Sequence, residues 1–220
     1  MIYITSDFHL FHENIMKYCN RYTPDRPDVQ AYMNDLFYYL GNLLKEEDTL
    51  IYLGDLACSS EKSLEGCKKY LSLLKCEKHF IRGNHDKWLS NDDLVGLGFN
   101  SIRDYLRIYD ILLCHYSLSS PYGTFGRPEM HKYVWDKFYE NPEIHRIYHG
   151  HNHNTPLFST EVDKGKRFKK YDGYVVEFVN CCIDKNPSNF NVIHFTEFNE
   201  DFLKEVLNSG ENDIVSHTRE

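Results

Sequence analysis

No stretch of this 220-residue chain stays apolar for the ~18 to 20 residues that a bilayer-spanning helix requires, so no membrane span is expected. Its opening residues, MIYITSDFHL, lack a charged leader followed by a cleavable apolar segment. They read as a strand running into polar loop residues, and secretion is not expected. Basic residues do not predominate: 25 Lys and Arg against 33 Asp and Glu leave a formal net charge of -8. With the acids spread along the chain there is no broad positive field to hold long nucleic acid through its phosphates, although a small phosphorylated ligand is compatible with that charge. The seven cysteines are odd in number and scattered, with no CxxC pair and no zinc-finger spacing. They suit reduced, mostly buried residues of a cytoplasmic protein. A proline- or glycine-rich linker, an internal repeat and a low-complexity tract are all missing too, which points to one domain over residues 1–220 with a sizeable core.

What the chain does have is a series of short apolar runs rich in Ile, Val, Tyr and Phe, each ending in small or polar residues. The runs at 1–5, 50–53, 79–81, 110–114, 146–148, 174–179 and 190–195 suit buried strands. Helical periodicity lies between several of them. Over 28–45, Val29, Tyr32, Met33, Leu36, Phe37, Leu40, Leu43 and Leu44 recur at three and four; Leu64, Cys67, Tyr70, Leu71 and Leu74 do the same; and 199–207 opens on Asn199 as a cap. Strands alternating with helices, then a strand-rich second half, predict an α/β domain with helices covering the sheet. Two stretches stand outside this pattern. The basic DKGKRFKK at 163–170 reads as a solvated hairpin tip, and 116–143 reads as an insertion near the active site, because long irregular connections are often functional.

Twelve histidines exceed ordinary usage, and several stand directly after the apolar runs. Asp7-Phe8-His9 follows the first, Gly54-Asp55 the second, Gly83-Asn84-His85-Asp86 the third, His115 a later one and Gly150-His151-Asn152-His153 another. Ligands of open α/β sheets bind outside the carboxyl ends of the strands, so these ends bring Asp and His to one rim. Residues two apart on extended chain point the same way, so Asp7 with His9, and His151 with His153, can each present two ligands to one place. Each residue alone would be an ordinary cap or turn; the set points to a metal site. Histidines 79, 131, 145, 194 and 217 fit no such motif and read as packing or surface residues.

D-x-H, G-D, G-N-H-D, a lone H and G-H-x-H, in that order over about residues 1–195, resemble the calcineurin-like metallophosphoesterases. SDFHLFHENIMKYCNR is similar to the small bacterial and phage members. The resemblance implies a two-sheet β-sandwich flanked by helices in four αββα layers, and two divalent cations. Asp7, His9, Asp55 and His153 would hold one; Asp55, Asn84, His115 and His151 would hold the other, with Asp55 bridging. Such an oxygen and imidazole set suits Mn, which is favoured, or Fe, Zn, Ni or Co. Paired cations can lower the pKa of a bridging water and orient phosphoryl oxygens for in-line attack. His85 would then be the general acid, with Asp86 orienting or polarising it.

Substrate contacts are expected at His12, Asn14, Tyr116 and Arg127, with His12 read equally well as a turn cap. Tyr122, Phe125, Arg127, Tyr133, Trp135 and Phe138 could stack on a base and hold its phosphate, although packing of the insertion is the simpler reading. Asn180 and Asp184 in VNCCID read as a structural turn. The expected activity is a phosphodiesterase acting on small or cyclic nucleotides. The rivals are a phosphomonoesterase, including a phosphoprotein phosphatase, a nuclease, and a non-catalytic metal-binding scaffold. A homo-oligomer stays open.

Overall fold

The structure is a computed structural model and describes residues 1–59, 61–116, 143–153, 156–163, 174–185 and 190–215. Its strands, in chain order, are β1 (Ile2–Thr5), β2 (Thr49–Tyr52), β3 (Glu77–Ile81), β4 (Ser101–Arg103), β5 (Tyr105–Ile108), β6 (Ile111–Cys114), β7 (Arg146–His149), β8 (Phe158–Asp163), β9 (Tyr174–Asn180), β10 (Ile193–His194) and β11 (Asp213–Ile214). The helices are α1 (Glu13–Tyr18), α2 (Val29–Leu43), α3 (Glu61–Leu71), α4 (Asn91–Gly96) and α5 (Glu200–Ser209). One sheet runs β10-β1-β2-β3-β4 and the other β11-β5-β6-β7-β9-β8. In the first, β1 to β4 are parallel and β10 is antiparallel to β1. In the second, β6, β7 and β9 are parallel, while β5 and β8 pair antiparallel to their neighbours β6 and β9.

Side-chain alternation along β1 to β3 decides how the layers stack. Tyr3, Leu50, Tyr52 and Phe80 point to one side, where α2 and α3 supply Tyr32, Met33, Leu36, Phe37, Leu40, Cys67 and Tyr70. Ile2, Ile4, Ile51, Leu53 and Ile81 point to the other and meet Leu106, Ile108, Leu113, Tyr148 and Val179 of the second sheet. This is the expected two-sheet sandwich flanked by helices. Full burial of each such side chain contributes about 1.5–3 kcal/mol, so the inter-sheet layer holds the strand ends in fixed register. Among the described residues no helix is long and apolar enough to cross a membrane.

Capping explains where the helices begin and end. Asp28 accepts a hydrogen bond from the Ala31 N–H at 2.8 Å, starting α2. Asn199 accepts from the Asp201 and Phe202 N–H groups and starts α5, which stops at Gly210 with φ +79°. Leu203, Val206 and Leu207 of α5 join the inter-sheet core. Strands β4, β5, β8 and β11 fall outside the apolar runs that mark strands in the sequence. Arg103 and Arg107 break the apolar pattern of β4 and β5, yet both are buried. The strands β8 and β9 lie antiparallel on either side of the expected hairpin tip, which falls almost wholly outside the described residues. All seven cysteines are free, and five are buried.

Candidate metal centre

The carboxyl ends of β1, β2, β3, β6 and β7 open into loops that are tied to one another. The Asp7 N–H donates to the Gly54 carbonyl (2.9 Å), the His9 N–H to Asp55 (3.0 Å), and the Gly150 N–H to His115 (3.0 Å). Asp7, His9, Asp55 and His151 have φ of 61°, 49°, 61° and 66°. Left-handed backbone is unfavourable for residues with a Cβ, and four instances at one rim mark a geometry imposed by the surrounding fold. It also corrects the expected convergence by strand alternation: Asp7, His9 and His151 are turned inward by left-handed backbone beyond the strand ends. Two glycines make room for this. Gly54 has φ +89°, and a Cβ there would collide with the Gly83 backbone; a Cβ on Gly150 would collide with the Asp7 carboxylate and the Ser6 hydroxyl.

The side chains form overlapping groups: Asp7, His9 and His153; His9, Asp55 and His85; and Asp55, His115 and His151, each with its ligand atoms within 4.8 Å of one another. His9 Nε2 lies 3.8 Å from Asp7 Oδ1 and 3.6 Å from Asp55 Oδ2, and His153 Nε2 lies 3.6 Å from Asp7 Oδ1. On the other side of Asp55, His115 Nε2 is 3.3 Å from Asp55 Oδ2 and 3.0 Å from Asn84 Oδ1. Two ligands bound at about 2.0–2.2 Å to one cation stand about 3.0–3.6 Å apart, so most of these separations fit edges of a coordination shell. His9 Nε2 is buried and has no hydrogen-bond partner, an arrangement that a cation would satisfy and that is costly otherwise. The residues therefore fit a pair of divalent ions sharing Asp55.

Electrostatics agree. Burial acts to raise the Asp55 pKa, but His115, His9 and His85 outweigh it and hold the carboxyl well below the usual carboxylate range. Burial acts to lower the His115 imidazole, and the Asp55 carboxylate reverses this and pushes it up to about 9. His9 is pushed well below its ordinary value, chiefly by burial. A buried carboxylate here requires a positive partner, and a divalent ion would displace the proton from His115.

His85 is exposed at the rim, its ring edge-on to His9 with centroids 5.1 Å apart, and its backbone N–H donates to Asp55 Oδ1 at 2.8 Å. Asp86 departs from expectation. Its buried carboxylate accepts from the backbone N–H groups of Asp55 (2.8 Å), Leu56 (2.9 Å) and Gly83 (2.7 Å), so it fastens the two loops together and does not orient the imidazole of His85. His12 makes no side-chain cap bond to α1; its ring lies 5.6 Å from that of His9 and 6.1 Å from that of His85. Tyr116 also departs from expectation: it is buried, with its ring against His115 (5.0 Å) and His151 (5.4 Å), so it packs the imidazoles where a substrate contact was expected. Asn14 is exposed on α1, and no described contact joins it to the site. Arg127 and nearly all of 116–143 fall outside the described residues.

Asp184, a turn residue by its sequence, reaches the centre. Its Oδ2 accepts from His153 Nδ1 at 2.6 Å, and Arg21 grips it with two hydrogen bonds of 2.6 and 2.7 Å. No spacing in the sequence links residues 21, 153 and 184. Asn180 does serve a turn, accepting from the Cys182 N–H and donating to the Asn152 carbonyl.

Fold and site together define a two-sheet α/β sandwich with a rim of Asp, Asn and His suited to paired divalent cations. Residues 1–155 match the calcineurin-like phosphoesterase family, and the chain belongs to it. An uncharacterized protein of Methanocaldococcus jannaschii, MJ1445, is 40% identical over 87 residues, which are 40% of this chain and 47% of that protein. The chain thus matches about half the length of this curated relative. The crystal structure of AQ665 from Aquifex aeolicus, a protein of unknown function, superposes with a TM-score of 0.60 at 26% identity, covering 87% of this chain and 95% of that one.

Proposed function

We propose that the protein hydrolyses phosphate esters using two divalent cations and a histidine acid, with diesters of small or cyclic nucleotides as the favoured substrates. The observation that carries this reading is the chain of three ligand groups, two of them sharing Asp55 and two sharing His9, with the buried, unpartnered Nε2 of His9, beside an exposed imidazole at His85. When bound, such cations supply a water of lowered pKa as nucleophile and polarise the phosphoryl oxygens. Asp7, His9, Asp55 and His153 are assigned to one cation, and Asp55, Asn84, His115 and His151 to the other.

The chain's own part is to hold these groups and to move a proton. His85 donates from a ring nitrogen to the leaving oxygen as the ester bond breaks. Because its backbone N–H is bonded to Asp55, the acid is kept in register with the bridging carboxylate. Asp86 acts at one remove by locking the Asp55 and Gly83 loops. His12 stands beside His85 and is assigned to a phosphoryl oxygen. Manganese is the favoured metal on the mixed donor set, with Fe, Zn, Ni or Co as alternatives. Seven free cysteines suit a reducing, cytoplasmic setting.

The preference for small diesters rests on the net charge of -8, with which no broad positive field is expected for long nucleic acid. Mn-loaded protein should turn over bis-p-nitrophenyl phosphate and cyclic or linear nucleotides faster than p-nitrophenyl phosphate. A strong preference for the monoester moves the assignment to a phosphomonoesterase, degradation of single-stranded oligonucleotides moves it to a nuclease, and no turnover of any ester leaves a binding module.

A further inference from the structure

The outer partners of two site imidazoles differ in charge. His115 Nδ1 lies 2.6 Å from the backbone carbonyl of Leu53, whereas His153 Nδ1 lies 2.6 Å from the Asp184 carboxylate. Asp184 is itself immobilised. Arg21, buried at 5% exposure, donates from Nε to Asp184 Oδ1 and from Nη2 to Oδ2, and also donates to the carbonyls of Asp7 (2.8 Å) and Phe8 (2.7 Å). The Tyr32 ring lies 4.8 Å from its guanidinium carbon. One arginine thus braces both the carboxylate behind His153 and the left-handed turn that presents Asp7.

We infer that Asp184, clamped by Arg21, is a positioning residue that makes the Asp7, His9, Asp55 and His153 position the tighter of the two cation positions. This rests on the metal reading given above. A carboxylate only accepts, so it keeps the proton on His153 Nδ1 and leaves the Nε2 lone pair facing Asp7. Its full negative charge also raises the basicity of Nε2, which the Leu53 carbonyl does less well for His115. The direct ligands act in the same direction. One position has two carboxylates, Asp7 and Asp55, while the other shares Asp55 and adds the neutral Asn84.

The test is Mn titration of metal-stripped protein, followed by calorimetry and by the electron paramagnetic resonance of free Mn. His151→Ala removes a ligand from the second position and lets the first be read alone; Asp184→Asn in that background should weaken Mn binding by about 10–100-fold. His9→Ala leaves the second position, and there Asp184→Asn should change affinity by less than about threefold. Arg21→Lys keeps the charge but loses the fork, and should give a smaller loss confined to the first position. Equal losses at both positions would indicate general disruption and overturn the proposal, as would unchanged affinity in both backgrounds. In the latter case one Mn still bound in each background leaves the metal reading standing. Wild-type protein that binds no Mn would overturn the metal reading and the positioning role of Asp184 with it.

Discussion

His85 and His9 have the same side chain and rings 5.1 Å apart, yet one is exposed and the other buried, and the difference separates their chemistry. A buried imidazole with its charge suppressed offers a lone pair to a cation, while an imidazole in contact with solvent can be reprotonated between turnovers. Replacing His85 with Asn should therefore leave metal stoichiometry unchanged and lower turnover by about 10²-fold, most for poor leaving groups. Kinetics with leaving groups of graded pKa, alongside metal analysis, checks this; loss of both metals would count against the acid assignment. Asp86 shows why neighbours in sequence need not cooperate. It follows His85 directly, but the 3-10 turn Asn84–Trp88 sends its carboxylate inward to three backbone N–H groups.

At the scale of elements, the helices and the central strands were legible because each carries one apolar face of the right period. The expected 28–45, 64–74 and 199–207 became Val29–Leu43, Glu61–Leu71 and Glu200–Ser209. Strands β4 and β5 were not legible, since Arg103 and Arg107 look solvent-facing. Arg103 is in fact buried and donates to the carbonyls of Val206 (3.3 Å) and Leu207 (3.0 Å) in the last turn of α5 and to that of Glu211 (3.2 Å) just beyond it, where backbone carbonyls lack i+4 partners. Arg103→Met should cost about 2–4 kcal/mol in urea denaturation by removing the guanidinium's hydrogen bonds to those carbonyls. Metal affinity should be unaffected, because the substitution lies on β4 and α5 and not on the ligand loops.

At the scale of the whole molecule, the proposed ligands come from five loops spread between Asp7 and His153, so cations bound as proposed would link strands of both sheets. Binding to the folded state alone stabilises by about 2.7 kcal/mol per site at a free metal concentration one hundred times Kd. For a chain of this length that corresponds to a Tm rise of about 5–10 °C per site. Differential scanning calorimetry with Mn and with chelator should show the shift, and Asp55→Asn should reduce it by more than any one-position ligand does. The sequence by itself determined the donor types, their order and their place after apolar runs, because strand ends and turn residues are local features with short-range signals. Only the tertiary structure decided which way they point and what stands behind them. The left-handed turns at Asp7, His9, Asp55 and His151 are held by hydrogen bonds between loops, and Arg21 meets Asp184 across 163 positions of chain. Such pairings depend on how two sheets pack, and no spacing along the chain encodes that.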